Sequence, residues 1–396
     1  MERRVGTVAR GIRTPIIREG DDLAKIVVDS VLEAAQSEGF ALRDRDVIAL
    51  TESIVARAQG NYVDITTVAI DVKSKISSPT VGLVFPILSR NRFAIILKGI
   101  AKAVKKIVLM LSYPSDEVGN ALISYELLDA KKVNPANTLL DTNTFRKLFG
   151  YSKHEFTGID YIDYYTSLIK EMGAEAEIIF SNRAEDILKY TKQVIACDVH
   201  TRKRTKALLK NKGAEVVLGL DDLLTKPISG SVFNPDYGLL GSNKSIKESL
   251  KLFTREAEGL LLDIQKQIFK KCEKKVEVMV YGDGAFKDPQ GKIWELADPV
   301  VSPSYTAGLK GTPNELKLKY LADNDYKNLK GQELEEALKT SIKNKKGNLV
   351  GQMASQGTTP RQLTDLLGSL CDLVSGSGDK GTPVVLIQGY FDNYSD

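Results

Sequence analysis

Histidine is almost missing from this chain: His154 and His200 are the only two in 396 residues. That excludes a zinc centre built on histidines and obliges any serine or cysteine triad to use one of these two. His154 sits in the polar run "YSKHEF" and reads as a surface residue, whereas His200 follows the apolar run "QVIACDV", where a parallel strand would end. Cysteine is scarce as well. Cys197, Cys272 and Cys371 are far apart and odd in number, which excludes a disulfide framework and fits a reducing compartment. No apolar run reaches membrane-spanning length, and "MERRVGTVARGIRTP" lacks the apolar stretch of a signal peptide. The expected location is therefore the cytoplasm, with no membrane partner. Neither sign of charge is in excess: 55 Lys and Arg face 51 Asp and Glu, a formal +4. A balance this mild gives no argument for nucleic acid, although it suits a cleft that receives anions.

Two nucleotide fingerprints are absent too. No G-x-x-x-x-G-K-[ST] occurs, so there is no P-loop. Gly376, Gly378 and Gly381 do form G-x-G-x-x-G, but the loop follows a helical pattern and opens a strand, the reverse of the dinucleotide-binding order. It reads as a helix-to-strand turn. A bound nucleotide would have its phosphates held by metal, by arginines or by helix N-termini.

What is present is an alternation of strand and helix. "LAKIVVDSVLEAAQSEGF" is a helix that Gly39 should stop in a left-handed cap, and "DVIALTESIVARAQG" leads from a buried strand into a short helix. The middle of the chain runs helix, strand, strand, helix, strand through "YIDYYTSLIKEMG", "AEIIF", "QVIACDV", "TRKRTKALLKNKG" and "AEVVLGL", which predicts a parallel α/β layer. The fold class is mixed α/β. We expect one core from residues 1–123 and 251–396, with 124–250 as an α/β insert lobe.

Several short stretches could carry chemistry. "VEVMVYGDGAF" ends a strand on Asp283 between Gly282 and Gly284, which is either an ordinary Asp-Gly hairpin turn or a carboxylate delivered to a sheet edge. "SRNRF" places Arg90 and Arg92 before an apolar helix, where guanidinium and peptide N–H groups could converge on an anion; the alternative is a solvated helix start.

Both ends of the chain resemble a known family. "IREGDDLAKIV" and "LRDRDVIALTESIVARAQG" look like the opening of the gamma-glutamyl ligases of coenzyme F-420 biosynthesis. The tail from Leu363 to Gly389, with Asp379, Gly381 and Pro383, is similar to that family's closing segment. The resemblance implies that Asp283 stands where the family's Asp-Thr-Asn-Gly strand end binds divalent metal and phosphate. Gly282 and Gly284 would then let backbone approach the phosphates. "SYPSDEVGN" loosely matches the family's Asp-x-Ser-Asn, which implies Asp116 as a second metal ligand and Asn120 beside the nucleotide. A further "DTN" at Asp141 precedes "TFRKLFG" and reads as a decoy.

By this resemblance the chain is a homodimeric ligase. It would use GTP or ATP with Mg²⁺ or Mn²⁺ to activate a small-molecule carboxylate as an acyl phosphate, which an amino acid, L-glutamate in the family, then attacks. Such chemistry needs charge neutralisation by metal and arginine more than it needs histidine. A second reading is a member of the same fold that binds a nucleotide or metabolite without turnover. A third places unrelated α/β chemistry at Asp198 and His200 in the central segment.

Overall fold

The computed structural model describes residues 4–154, 157–228, 234–245, 248–282, 285–287, 294–296, 301–355, 361–376 and 378–395, the backbone alone for 285–287, 294–296 and 301–303. The first strands are β1 (Val8–Ile12), β2 (Val47–Thr51), β3 (Tyr62–Asp64), β4 (Thr80–Val84) and β5 (Lys106–Leu111). There follow β6 (Leu140–Asp141), β7 (Glu175–Phe180), β8 (Gln193–Ala196), β9 (Val216–Gly219), β10 (Ser242–Lys244) and β11 (Ser249–Leu252). The last are β12 (Glu277–Gly282), β13 (Ala285–Lys287), β14 (Trp294–Leu296), β15 (Val301–Tyr305) and β16 (Val384–Gln388). No helix among the described residues is long and apolar enough to cross a membrane.

The chain divides into two compact units, 1–58 with 256–286 and 296–396, and 59–255 with 287–295. The first unit holds a five-stranded sheet in the order β1-β16-β2-β12-β15. The tail strand β16 lies between β1 and β2, antiparallel to both, so the two ends of the chain share one sheet as their resemblance suggests. Its central strands β2, β12 and β16 are apolar along their middles because both faces are covered, with polar residues only towards their ends (Thr51, Glu277, Gln388). Alternate residues point to opposite sides. Ile48, Leu50, Val278, Val280, Val384 and Leu386 pack with helices Leu23–Glu38 and Glu258–Cys272, while Val47, Ala49, Met279, Val385 and Ile387 pack with helix Leu363–Val374. Asp22 Oδ1 caps the first of these helices through the Lys25 N–H at 3.0 Å, and Gly39 closes it at φ 68°.

The second unit is built on a six-stranded sheet, β6-β7-β5-β4-β8-β9, parallel except for the edge strand β6. Counting the five parallel strands along the chain gives the order 3-2-1-4-5, a doubly wound sheet whose direction of winding reverses between β4 and β8. Gly82 in β4 is required there: a Cβ would lie 2.5 Å from Ile187 Cγ1. Fully buried Ile187 therefore packs directly on the strand backbone. A small antiparallel sheet, β10-β11-β3, completes this unit.

The division differs from the expected boundary at residue 123, because β4 and β5 pair with β8 and β7. Residues 59–123 thus contribute to the same sheet as the segment 124–250, and the first unit loses them. The strand–helix alternation is alike on both sides of residue 123 and carries no mark of the break.

Candidate functional site

The direction of winding in a doubly wound sheet reverses where two neighbouring crossovers part to opposite faces, leaving a crevice beyond the carboxyl ends of the strands. Here that crevice is built by the segments after β4, β5, β7 and β8.

After β4 the chain turns at Phe85, which has φ 57° and donates its N–H to the Met110 carbonyl at 3.0 Å. The loop then reaches helix Arg92–Ala101, and Ser89 rather than Asn91 caps it: Ser89 Oγ accepts the Asn91 and Arg92 N–H groups at 3.1 and 3.0 Å.

After β5, Asp116 organises a tight loop. Its Oδ1 accepts the Val118 and Asn120 N–H groups at 3.0 and 2.9 Å, and its Oδ2 accepts the Leu88 N–H and Asn120 Nδ2, both at 2.8 Å. Burial raises the pKa of this carboxyl even against those four donors. Next to it, Glu117 reaches across to the loop after β8, accepting the Val199 N–H at 2.6 Å and the His200 N–H at 3.1 Å. Burial pushes the Glu117 carboxyl up as well.

From the end of β7, Asn182 closes on Tyr113: its Oδ1 accepts the Tyr113 N–H at 3.0 Å and its Nδ2 donates to the Tyr113 carbonyl at 2.7 Å. After β8 comes Asp198, fully buried. Its Oδ2 accepts the Thr201 and Thr205 hydroxyls at 2.6 and 2.7 Å, while Oδ1 is buried and has no partner. Burial raises its pKa, opposed by the two threonines.

These residues line an open, shallow pocket of about 200 Å³, formed by Phe85, Asp116, Glu117, Asn182, Asp198 and Thr201, with Ser112 and Ser115. A second cavity of about 220 Å³ also has Phe85 and Asn182 in its wall, and carries Arg183, Glu185, Arg204 and Thr205. A larger, open groove of about 1030 Å³ runs along β1 in the other unit. Its Arg10 is taken up by Gln388 and by stacking on Phe40, so that groove offers little unspent chemistry at this cation.

The residues singled out in the sequence fall as follows. Asp116 and Asn120 meet, joined by the 2.8 Å bond. Arg90 is exposed, and its guanidinium has no partner among the described residues. Arg92 gives Nη2 to the Leu240 carbonyl at 2.7 Å. Gly282 ends β12, opposite Val301 and beyond a register shift, while Asp283 and Gly284 lie outside the described residues. Asp141 is a helix cap for Thr144 at 2.7 Å, consistent with a decoy. His154 departs from the surface reading. It is buried, with Nδ1 against the Thr157 hydroxyl at 3.1 Å and its ring edge-on to Tyr161. Among the described residues no three His, Cys, Asp or Glu side chains are grouped to hold a metal ion. Glu117 and Asn182 were not singled out in the sequence; the one signal for each is a polar residue just past an apolar strand.

Comparison with known proteins accounts for nearly all of the chain. No curated protein matches it. The family model described as F420-0:Gamma-glutamyl ligase matches residues 11–389, running through the central segment as well as the two ends. The chain belongs to the F420-0:gamma-glutamyl ligase family.

Proposed function

We propose that this protein is an amide-forming ligase that joins an amino acid, L-glutamate in the family's own reaction, to the carboxylate of a small molecule. GTP or ATP would activate that carboxylate as an acyl phosphate, with Mg²⁺ or Mn²⁺ as the neutralising cation, in a homodimeric protein. The observation that carries the reading is the family match over residues 11–389. Arg90 supports it, since a guanidinium with no protein partner is ready for a phosphate oxygen. Arg92, held by the Leu240 carbonyl, is the lesser contributor, and Asn120, Gly282 and Gly284 complete the proposed nucleotide contacts.

The metal is proposed at Asp283 with Asp116. Asp283 lies outside the described residues, and Asp116 does not fit a cation as it stands: all four of its lone-pair positions are taken, three by Val118 and Asn120 of its own loop and one by the Leu88 N–H of the loop after β4. That commitment of Asp116 favours a second reading, a family member that binds a nucleotide or metabolite without ligation.

Incubating the protein with F420-0, L-glutamate, Mn²⁺ and GTP or ATP separates the two. The ligase reading requires a glutamylated product by mass spectrometry, with nucleoside diphosphate released in equal amount. Saturable nucleotide binding with no product from a panel of carboxylates would leave only the second reading. A mass measurement in solution tests the dimer.

A further inference from the structure

We infer that the edge strand β1 is a docking site for an extended segment of a partner protein in which basic and acidic residues alternate. The segment joins the five-stranded sheet as one more strand. The inference stands apart from the ligase reading and would hold for a chain that turns nothing over.

Three observations carry it. The first is a row of free peptide groups. β1 has β16 on one side and no described strand on the other. The Pro383 carbonyl accepts the Thr51 N–H of β2 at 3.0 Å, so Pro383 faces β2 and, by alternation, Val384, Leu386 and Gln388 face β1. Their partners Ile12, Arg10 and Val8 therefore give their peptide groups to β16. Ala9 and Gly11 point the other way, are partly exposed, and have no hydrogen-bond partner among the described residues. The second is space. The groove of about 1030 Å³ along β1 is walled by Ser30, Ala34 and Ser37, one stripe of helix Leu23–Glu38 whose short side chains leave the edge open.

The third is charge, sorted to the two sides of the edge. Ile12 and Arg10 turn towards helix Leu23–Glu38, where Ile12 is core and Arg10 stacks on Phe40. Glu33 and Glu38 line the groove on that side. Ala9 and Gly11 turn towards helix Leu363–Val374, where a Cβ on Gly11 would meet Thr382. By the same alternation Arg13 lies on this second side, and Lys380 joins it, its side chain lying against Gly376. Glu33, Glu38, Arg13 and Lys380 are all exposed, and none forms an ion pair or hydrogen bond among the described residues.

Charge of one sign along an edge keeps other strands away. Opposite charges on opposite sides instead choose among them. An added strand sends successive side chains to alternate faces. Basic residues at every second position would meet Glu33 and Glu38, and the acidic residues between them would meet Arg13 and Lys380. A segment of uniform charge is attracted on one side and repelled on the other. A second copy of β1, paired antiparallel, keeps each residue on its own side and so brings another Arg13 to the side that already holds Arg13 and Lys380.

The test is nuclear magnetic resonance of the full chain, free of nucleotide, titrated with the end-blocked hexapeptide Lys-Glu-Lys-Glu-Lys-Glu. Without peptide, the Ala9 and Gly11 amides should exchange at least about tenfold faster than those of Arg10 and Ile12. Saturating peptide should slow Ala9 and Gly11 by about tenfold or more. Only alternate N–H groups of a strand face its neighbour. Methylating the backbone nitrogens of the glutamates alone, or of the lysines alone, should therefore weaken one peptide by about tenfold or more and leave the other unchanged. Hexalysine and hexaglutamate should each bind at least about tenfold more weakly than the alternating peptide. Ala9→Pro removes an N–H that faces solvent, as an edge strand tolerates, and should weaken the peptide by about tenfold. Glu33→Gln and Lys380→Gln, both at the surface, should weaken it about threefold or more with melting temperatures unchanged, and they decide the matter if Ala9→Pro does not fold. No saturable binding at millimolar concentration would overturn the inference. Equal loss in the two methylated peptides, or hexalysine or hexaglutamate binding as well as the parent, would overturn it too. So would slow exchange at Ala9 and Gly11 without peptide in a species of twice the chain mass, which would give the edge to a second copy.

Discussion

Glu117 holds the backbone of Val199, its Oε1 accepting that N–H at 2.6 Å, and so ties the loop after β5 to the loop after β8. The strands themselves are not neighbours, since β4 runs between them. A single carboxylate therefore bridges the crevice floor. Glu117→Ala removes the acceptor for Val199 and His200 together, a net loss of about 1–3 kcal/mol in that loop. Native-state hydrogen exchange should show both amides exchanging at least about tenfold faster, with Val108 in the middle of β5 unchanged. Unaltered protection at Val199 would mean that the loop is held by something else.

Close packing on β4 gives a second expectation. Gly82→Ala drives a methyl to within 2.5 Å of Ile187 Cγ1 and should cost about 1–3 kcal/mol by denaturant unfolding. Ile187→Ala alone opens a cavity and should cost about 2–5 kcal/mol. Together they should cost clearly less than their sum, because the truncated side chain makes room for the methyl. Simple additivity would place the strain elsewhere.

Arg146 and Asp160 form a two-armed pair at 2.7 and 2.8 Å, with little of either side chain exposed. Burial raises the Asp160 pKa, but the Arg146 hydrogen bonds and charge outweigh it and the net shift is downward. A lowered folded pKa stabilises above the unfolded value and is lost as pH falls through the folded one. Asp160→Asn keeps a side chain able to cap helix Tyr161–Glu171 and should cost about 2–4 kcal/mol near neutral pH. The gap between wild type and variant should close in acid, below the ordinary aspartate value of 3.8. A gap independent of pH would contradict the pairing.

How much of this was legible in the sequence depends on what kind of fact it is. The buried strands β2, β8 and β16 read directly as apolar runs, since covering both faces leaves no polar positions to break them. Gly39 announced the end of its helix for a similarly local reason, its φ of 68°. The strand order was not legible. Parallel pairing joins residues as distant as Gly82 and Val194, and nothing near either names the other. The same limit hid the unit boundary at Ala58. Asp116 and Asp198 were visible as acids after strands, yet their roles diverge on what surrounds them: four N–H groups around one, a vacant oxygen on the other. Sequence spacing records the acid and omits its neighbours.

The proposed nucleotide chemistry has its own test at Arg90. Its side chain is exposed and has no protein partner among the described residues, so replacing it should leave folding alone. Arg90→Gln should keep the wild-type melting temperature while weakening GTP or ATP by about tenfold or more. Equal affinity would remove Arg90 from the nucleotide site.

Asp198→Asn should make the protein more stable, and the sign follows from burial. Burial raises the Asp198 pKa above the ordinary 3.8, and the Thr201 and Thr205 hydroxyls offset it only in part. Between the unfolded and folded values the native state holds the proton more tightly, so stability falls as pH rises through that window. At neutral pH the wild type therefore carries the cost of a buried, half-satisfied carboxylate. Asparagine keeps an oxygen for the two threonine hydroxyls and leaves an uncharged amide where the vacant oxygen was, a smaller cost. The melting temperature of Asp198→Asn should exceed that of wild type at pH 7, and the difference should shrink as the buffer approaches pH 3.8. If Asp198→Asn instead melts lower at pH 7, the buried carboxylate is being stabilised by a partner that the free oxygen does not show.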